Sequence, residues 1–320
     1  MAGADDDLAV WRSLTRLEEK AQAYSEDPVA RAALDTARAG GEDLRSALGD
    51  VSLVLVKSEA LVSGRAAVVE RFLDGHEICV EGGFDVDLDA ARSHALWSYP
   101  WVKATSDRMR LHVMMSAGKP SRCLIVRRAG ASSPEPLSVW LADRKGPSAR
   151  KQRRPTDLRS ALGMSNRMIS YVHCPDEPAD VVRDAYVLAG ERGVQRLLAA
   201  ATPSRPRTAR GFDEVNGAAP VDLKLAGVLE RLPAEGRTAA LAALAARADG
   251  RPRRLQDAIE DARAWGADNE WDRCVLAAEL IAHDLPEAAG RFDRLSVRQL
   301  AEAWRSADRG PAASACGTGS

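Results

Sequence analysis

VSLVLVK, residues 51–57, decides how the middle of this chain reads. It is short, apolar and rich in β-branched valine, with no polar alternation. That pattern predicts a strand buried on both faces. Working outward, GRAAVVERFLDG, residues 64–75, puts Val68, Val69, Phe72 and Leu73 on one helical face and stops at Gly75. HEICVEGGFDVD, residues 76–87, predicts a second strand, and residues 88–97 and 101–111 predict shorter helices. SRCLIVRR, 121–128, predicts a third strand, 136–143 a helix, and RMISYVHC, 167–174, a fourth strand. Residues 178–188 open with Pro178 and continue at helical spacing. Strand, helix, strand, helices, strand, helix, strand, helix is the order of a ferredoxin-like βαββαβ core.

The flanks read differently. Residues 1–50 form a helical arm, with Leu8, Val10, Trp11, Leu14 and Leu17 at helical spacing and a break at Gly40-Gly41. The segment 199–220 is rich in Pro, Gly and Arg and reads as a linker after a domain spanning 51–198. Residues 221–307 are Ala/Leu/Arg-rich, and breaks at Pro233, Gly250, Pro252, Gly266 and Pro286 divide them into four or five helices of a small bundle. Residues 308–320 are expected to be a disordered tail. The expected fold class is therefore α+β, a ferredoxin-like domain plus an all-α C-terminal bundle.

Composition narrows the function classes. Hydrophobic residues are 45% and charged residues 28% of the chain, which argues for a folded globular protein and against a disordered one. A formal charge of −1 gives no general attraction to nucleic acid or anionic membrane, so neither is an expected partner. Cys79, Cys123, Cys174, Cys274 and Cys316 are widely spaced and form no CxxC pair, so neither a disulfide framework nor a zinc site is expected. A reducing cytoplasm fits best. The acidic start MAGADDDLAVW lacks the apolar core of a secretory signal, and no apolar run approaches the roughly 20 residues of a membrane span.

A set of short motifs then appears in order. VLVKSEA places Lys57 and Glu59 at the end of the first strand. SHALWSYPWV offers His94, Pro100 and Trp101, and MMSAGKP precedes the third strand. Gly146-Pro147-Ser148 follows a predicted helix, and Pro155 to Arg159 reads PTDLR. SYVHCPDE carries His173, with Asp184 eleven residues further on. Over residues 51–188 this series resembles the nucleoside diphosphate kinase family, whose strand-end Lys, Gly-x-Thr, Pro-Gly-Thr-Ile-Arg and phosphohistidine segments occur in that order.

The resemblance implies ping-pong phosphoryl transfer: a γ-phosphate passes from a nucleoside triphosphate to His173, then to a diphosphate or a specialised acceptor. A neutral imidazole suits this relay, being nucleophilic near pH 7 and readily displaced afterwards. It implies catalytic roles for His173, Lys57 and Asp184, the last orienting the imidazole. It further implies nucleotide or phosphate contacts from Lys57, Trp101, Arg144, Ser148, Arg159 and Ser170. Mg²⁺ would accompany the nucleotide with few protein ligands, and no metal site of the protein's own is expected. Homo-oligomers are the default assembly, and the bundle is free to recruit a protein partner. Some positions depart from the family. Ala95 replaces the Tyr of a His-Tyr pair, Ser170 stands for Asn, and Cys174-Pro175 stand for Gly-Ser. These departures motivate an alternative, a nucleotide-binding or scaffold module without turnover. A third reading is altered biosynthetic chemistry with His173 as acid or base. RKGPSARKQRRP, residues 144–155, is the densest cationic run and reads either as a phosphate-binding loop or as a solvated one.

Overall fold

A computed structural model describes residues 4–41, 43–130, 133–201, 219–292 and 295–307. The 51–57 stretch forms β1, Val51–Val56, and all six residues are buried. It pairs antiparallel with β3, Pro120–Arg128, from Val51 opposite Arg127 to Val56 opposite Arg122. β2, Ile78–Asp87, pairs antiparallel with the other edge of β3, with a bulge between Val80 and Gly82. Just past the bulge, a Cβ on Gly83 would stand 2.8 Å from the Cys123 carbonyl oxygen, so a side chain there would force the strands apart. β4, Val172–His173, pairs antiparallel with β1, placing His173 opposite Leu55. The strand order is β2-β3-β1-β4. The protein is thus α+β, with one small antiparallel sheet among many helices.

Alternation along β1 gives the sheet two buried faces. Leu53 and Leu55 join Cys123 and Ile125 in a core built with Trp11 and Leu34 of the N-terminal arm and Val181 and Leu197 of the helix Pro178–Ala201. Val54 and Val56 join Leu124, Val126 and Val172 on the opposite face, against Leu255, Ile259, Leu276 and Leu280 of the C-terminal helices. Each such side chain contributes about 1.5–3 kcal/mol on burial, so both flanking regions are held by the sheet between them. Residues 221–307 supply five helices among those described: Leu225–Arg231, Ala234–Ala248, Leu255–Ala264, Glu270–Leu280 and Val297–Ala307. The last does not share the bundle core. Its Leu300, Ala301 and Trp304 pack instead with Leu17 and Val139.

Three expectations need correction. The fourth strand covers two residues, not the whole run 167–174. Met168, Ile169 and Tyr171 are buried, but Asn166 Oδ1 accepts from the Met168 N–H and Tyr171 has φ 61°, so the backbone turns instead of laddering. The single helix over 101–111 is a 3₁₀ turn, Pro100–Lys103, and a separate helix, Ser106–Ser116. Thr105 divides them by accepting from the Arg108 N–H at 3.1 Å, an N-cap. The final helix of the domain breaks at Ala189 and Gly190, where 178–188 was expected to end, then resumes to Ala201 inside the expected linker. The rest of the linker falls mainly on 202–218, and the tail on 308–320, outside the described residues. Among the described residues no helix is long and apolar enough to cross a membrane.

Candidate functional site

His173 closes β4, and Asp184 lies on the helix that begins five residues later at Pro178. Burial and helical phase aim the carboxylate back at the strand end. His173 Nε2 and Asp184 Oδ2 are 2.8 Å apart. Asp184 is 4% exposed, and that burial raises its carboxyl above the usual carboxylate range although the bond to His173 opposes the shift. A carboxylate on Nε2 assigns the N–H to that nitrogen and leaves the lone pair on Nδ1. Nδ1 has no hydrogen-bond partner among the described residues.

The imidazole lines a cleft of about 170 Å³. Asp176, Asp180, Asp184 and Lys20 supply its charged groups, and Tyr24, Trp97, Tyr99 and Phe292 supply aromatic rings. The arm and the last helix close over it through Glu177, which is 0% exposed. Glu177 accepts from Thr15 Oγ1 at 2.5 Å, the Arg16 N–H at 2.7 Å, Lys20 Nζ at 2.8 Å and Trp304 Nε1 at 2.9 Å. Lys20 also donates to Asp180 Oδ2 at 2.8 Å, and Tyr24 donates to Asp180 Oδ1 at 2.5 Å. Burial alone would lower the Lys20 value; Asp180, Glu177 and Asp176 outweigh it and hold the ammonium charged.

The other residues singled out from the sequence lie elsewhere. Lys57 is buried at the end of β1, 2.5 Å from Glu59 Oε1. Arg159 donates from Nη1 to the Gly146 carbonyl at 2.8 Å, and its Nε is buried without a partner among the described residues. Burial lowers the Arg159 guanidinium to about 10, opposed by nearby Cys174 and Asp176. Ser148 belongs to the same loop, its carbonyl accepting from Arg153 Nη2 at 2.9 Å. Arg144 lies over the Trp140 ring at 5.6 Å. Trp101 is 9% exposed and stacked on Trp97, with centroids 5.6 Å apart and planes at 29°. Ser170 stands in the turn before β4, its carbonyl accepting from the Val172 N–H at 2.7 Å. The fold therefore brings His173 and Asp184 together, and groups Arg159 with the 146–148 loop. Lys57, Trp101, Arg144, Ser148, Arg159 and Ser170 do not line the His173 cleft.

Several residues of the site carried no functional expectation. Asp180 lies four residues before Asp184 on one helix, a spacing legible as a shared acidic face. Lys145 donates to the Cys174 carbonyl at 2.9 Å and pairs with Asp176 at 3.3 Å. His112 is buried beside Trp97, ring centroids 4.5 Å apart, with Nε2 unpartnered among the described residues; burial, then Lys57, Arg108 and His173, hold it well below the usual histidine range. Nothing local to these last two sequences marks them.

The described residues contain no group of three or more His, Cys, Asp or Glu side chains that could hold a metal ion. Asp176, Asp180 and Asp184 are each already engaged by Lys145, by Lys20 and Tyr24, and by His173. These residues do not fit a resident Mg²⁺. His283 and Asp284 lie in the loop after the helix Glu270–Leu280, and Asp284 pairs with Arg108 and Arg167.

No protein-family model matches the chain, and no curated protein matches it.

Proposed function

We propose that residues 51–198 are a divergent nucleoside diphosphate kinase-like domain in which His173 takes up a phosphoryl group from a nucleoside triphosphate. The fold reading is ferredoxin-like: a β2-β3-β1-β4 antiparallel sheet with helical crossovers between β1 and β2 and between β3 and β4. The observation that carries the function is the His173–Asp184 contact. One ring nitrogen is anchored to a carboxylate, so the other holds a lone pair beside a cleft. In the transfer, the bond from the γ-phosphorus to its bridging oxygen breaks and a bond to Nδ1 forms, leaving the diphosphate as product. Asp184 then stabilises the positive charge developing on the ring. A second transfer returns the phosphoryl group to an acceptor oxygen.

A second reading, a binding or scaffold module without turnover, is favoured by one observation. Lys57 is closed onto Glu59 and Trp101 onto Trp97, so the cation and the ring that would hold a nucleotide already have partners. Incubation of the full chain with γ-labelled ATP separates the two. The phosphotransfer reading expects an acid-labile, base-stable label that disappears in His173→Ala and persists in His76→Ala, a change at an exposed imidazole. Saturable nucleotide binding with no label would establish the second reading instead.

A further inference from the structure

The cleft beside His173 is closed in part by the last helix, Val297–Ala307, and the residues before it. Phe292, Leu295, Val297 and Leu300 line it together with Trp97 and His173. None of those four belongs to residues 51–198, where the phosphotransfer reading places the site. With them in place the cleft holds about 170 Å³, below the roughly 300–1,000 Å³ of sites that take larger ligands. A nucleoside triphosphate does not fit.

The helix is held by one face. Leu300, Ala301 and Trp304 are buried at helical spacing, while Arg298, Gln299 and Glu302 on the other side are exposed. The buried three pack with Leu17 and Val139 in a small cluster, apart from the two cores that flank the sheet. Trp304 Nε1 donates to Glu177 Oε1 at 2.9 Å, Arg305 Nη1 to Glu135 Oε1 at 2.9 Å, and Arg298 Nη2 to the Gln152 carbonyl at 3.2 Å. The Arg16 guanidinium lies over the Trp304 ring at 4.0 Å. Ahead of the helix the chain is fixed separately, where Asp284 pairs with Arg108 and Arg167. Lifting the helix therefore breaks one small cluster and a few polar contacts, and leaves the bundle core against the sheet intact.

We propose that this helix is an autoinhibitory strap over the His173 cleft: docked, it excludes a nucleoside triphosphate, and undocked, it admits one. A nucleotide then binds the undocked fraction alone, and its apparent affinity is reduced by that fraction. Weakening the strap therefore tightens nucleotide binding, whereas weakening a helix that merely supports the fold would not. The regulation of transfer rests on the phosphotransfer reading; closure of the cleft against nucleotide does not, so the two can fail separately.

The test is calorimetric titration of the full chain with the magnesium complex of the β,γ-imido analogue of ATP, followed by γ-labelled ATP on the same proteins. Trp304 anchors the strap without lining the cleft, so Trp304→Ala changes docking and leaves the wall as it is. It should tighten analogue binding about tenfold. Arg305→Ala removes one contact from a side chain that is 41% exposed and should tighten it about threefold. Ile259→Ala, in the core on the far face of the sheet, loosens the fold elsewhere and should leave binding unchanged. Far-UV circular dichroism checks that each variant is folded, and if Trp304→Ala is not, Arg305→Ala carries the comparison. Tighter binding with faster labelling of His173 supports the strap and the phosphotransfer together. Tighter binding with no label supports the strap and overturns the phosphotransfer. Analogue binding that is unchanged or weaker in the strap variants, absent from every folded protein, or tightened as much by Ile259→Ala would each overturn the strap.

Discussion

Replacing Glu177 by Ala should be among the most damaging single changes in the chain. The carboxylate is fully buried and receives four donors, from Thr15, Arg16, Lys20 and Trp304. These donors lie 127 to 162 residues away in sequence, on the N-terminal arm and the last helix. Removing one partner of a buried ion pair leaves the other charge uncompensated, a loss of about 3–5 kcal/mol. Lys20 would keep Asp180 at 2.8 Å, which places the expected loss toward the lower end. Glu177→Gln keeps the shape and one acceptor but removes the charge, so a loss of about 1–3 kcal/mol is expected. Urea unfolding followed by tryptophan fluorescence measures both, with Glu18→Ala as a control. Glu18 pairs with Arg12 on the exposed surface, and its loss should leave the curve unchanged. A Glu177→Ala curve within about 0.5 kcal/mol of wild type, the range of ordinary surface changes, would refute the view that this carboxylate clamps both ends of the chain onto the His173 loop.

Other outcomes follow from the same geometry. Asp184→Asn removes the carboxylate that fixes the His173 tautomer, and the rate of histidine labelling should fall about 10²-fold, read by rapid-quench counting. His112 is held neutral in the fold, so its contribution is complete above the unfolded value of about 6.5 and is lost as pH falls from there toward the lower folded value. His112→Leu should remove a slope of about 1.4 kcal/mol per pH unit from unfolding free energies measured between pH 7 and 5. Asp27 works on the acid side. Burial opposes its ionisation, but Arg183 together with hydrogen bonds from the Val29 N–H and Tyr99 outweighs burial and lowers the folded value. Its stabilisation is therefore present above about pH 3.9, the unfolded value, and is lost as pH falls through the lower folded one. Asp27→Asn should lose stability at pH 6 and converge with wild type near pH 2, measured by urea unfolding at each pH.

The strands were legible where burial alone settles the backbone. β1 and β3 fall within a residue of the runs at 51–57 and 121–128, because the sheet is covered on both faces along their apolar centres. β4 was overread for the same reason. Met168, Ile169 and Tyr171 look like a strand because they are buried, yet Asn166 and the positive φ of Tyr171 give that backbone a turn, and periodicity does not report φ. Within the site, the family resemblance named Asp184 as the partner of His173, and the strand end and the following helix bring the two within 2.8 Å. Lys20 and Trp304 were not, since each reaches the loop across more than a hundred residues and nothing in its local sequence points there. The cationic loop 144–155 read as a candidate phosphate site. Much of its charge is turned inward, Arg153 onto the carbonyls of Pro147 and Ser148, and Arg154 onto Asp143 and Asp157.

The central claim concerns one nitrogen atom. Phosphorus-31 NMR of the chain after incubation with a nucleoside triphosphate, assigned through coupling to the His173 ring, reports both whether a phosphoramidate forms and on which nitrogen. Asp184 occupies Nε2, so the account predicts a single signal from phosphorus on Nδ1 of His173. Phosphorus on Nε2, or none on His173 in folded protein, would contradict it.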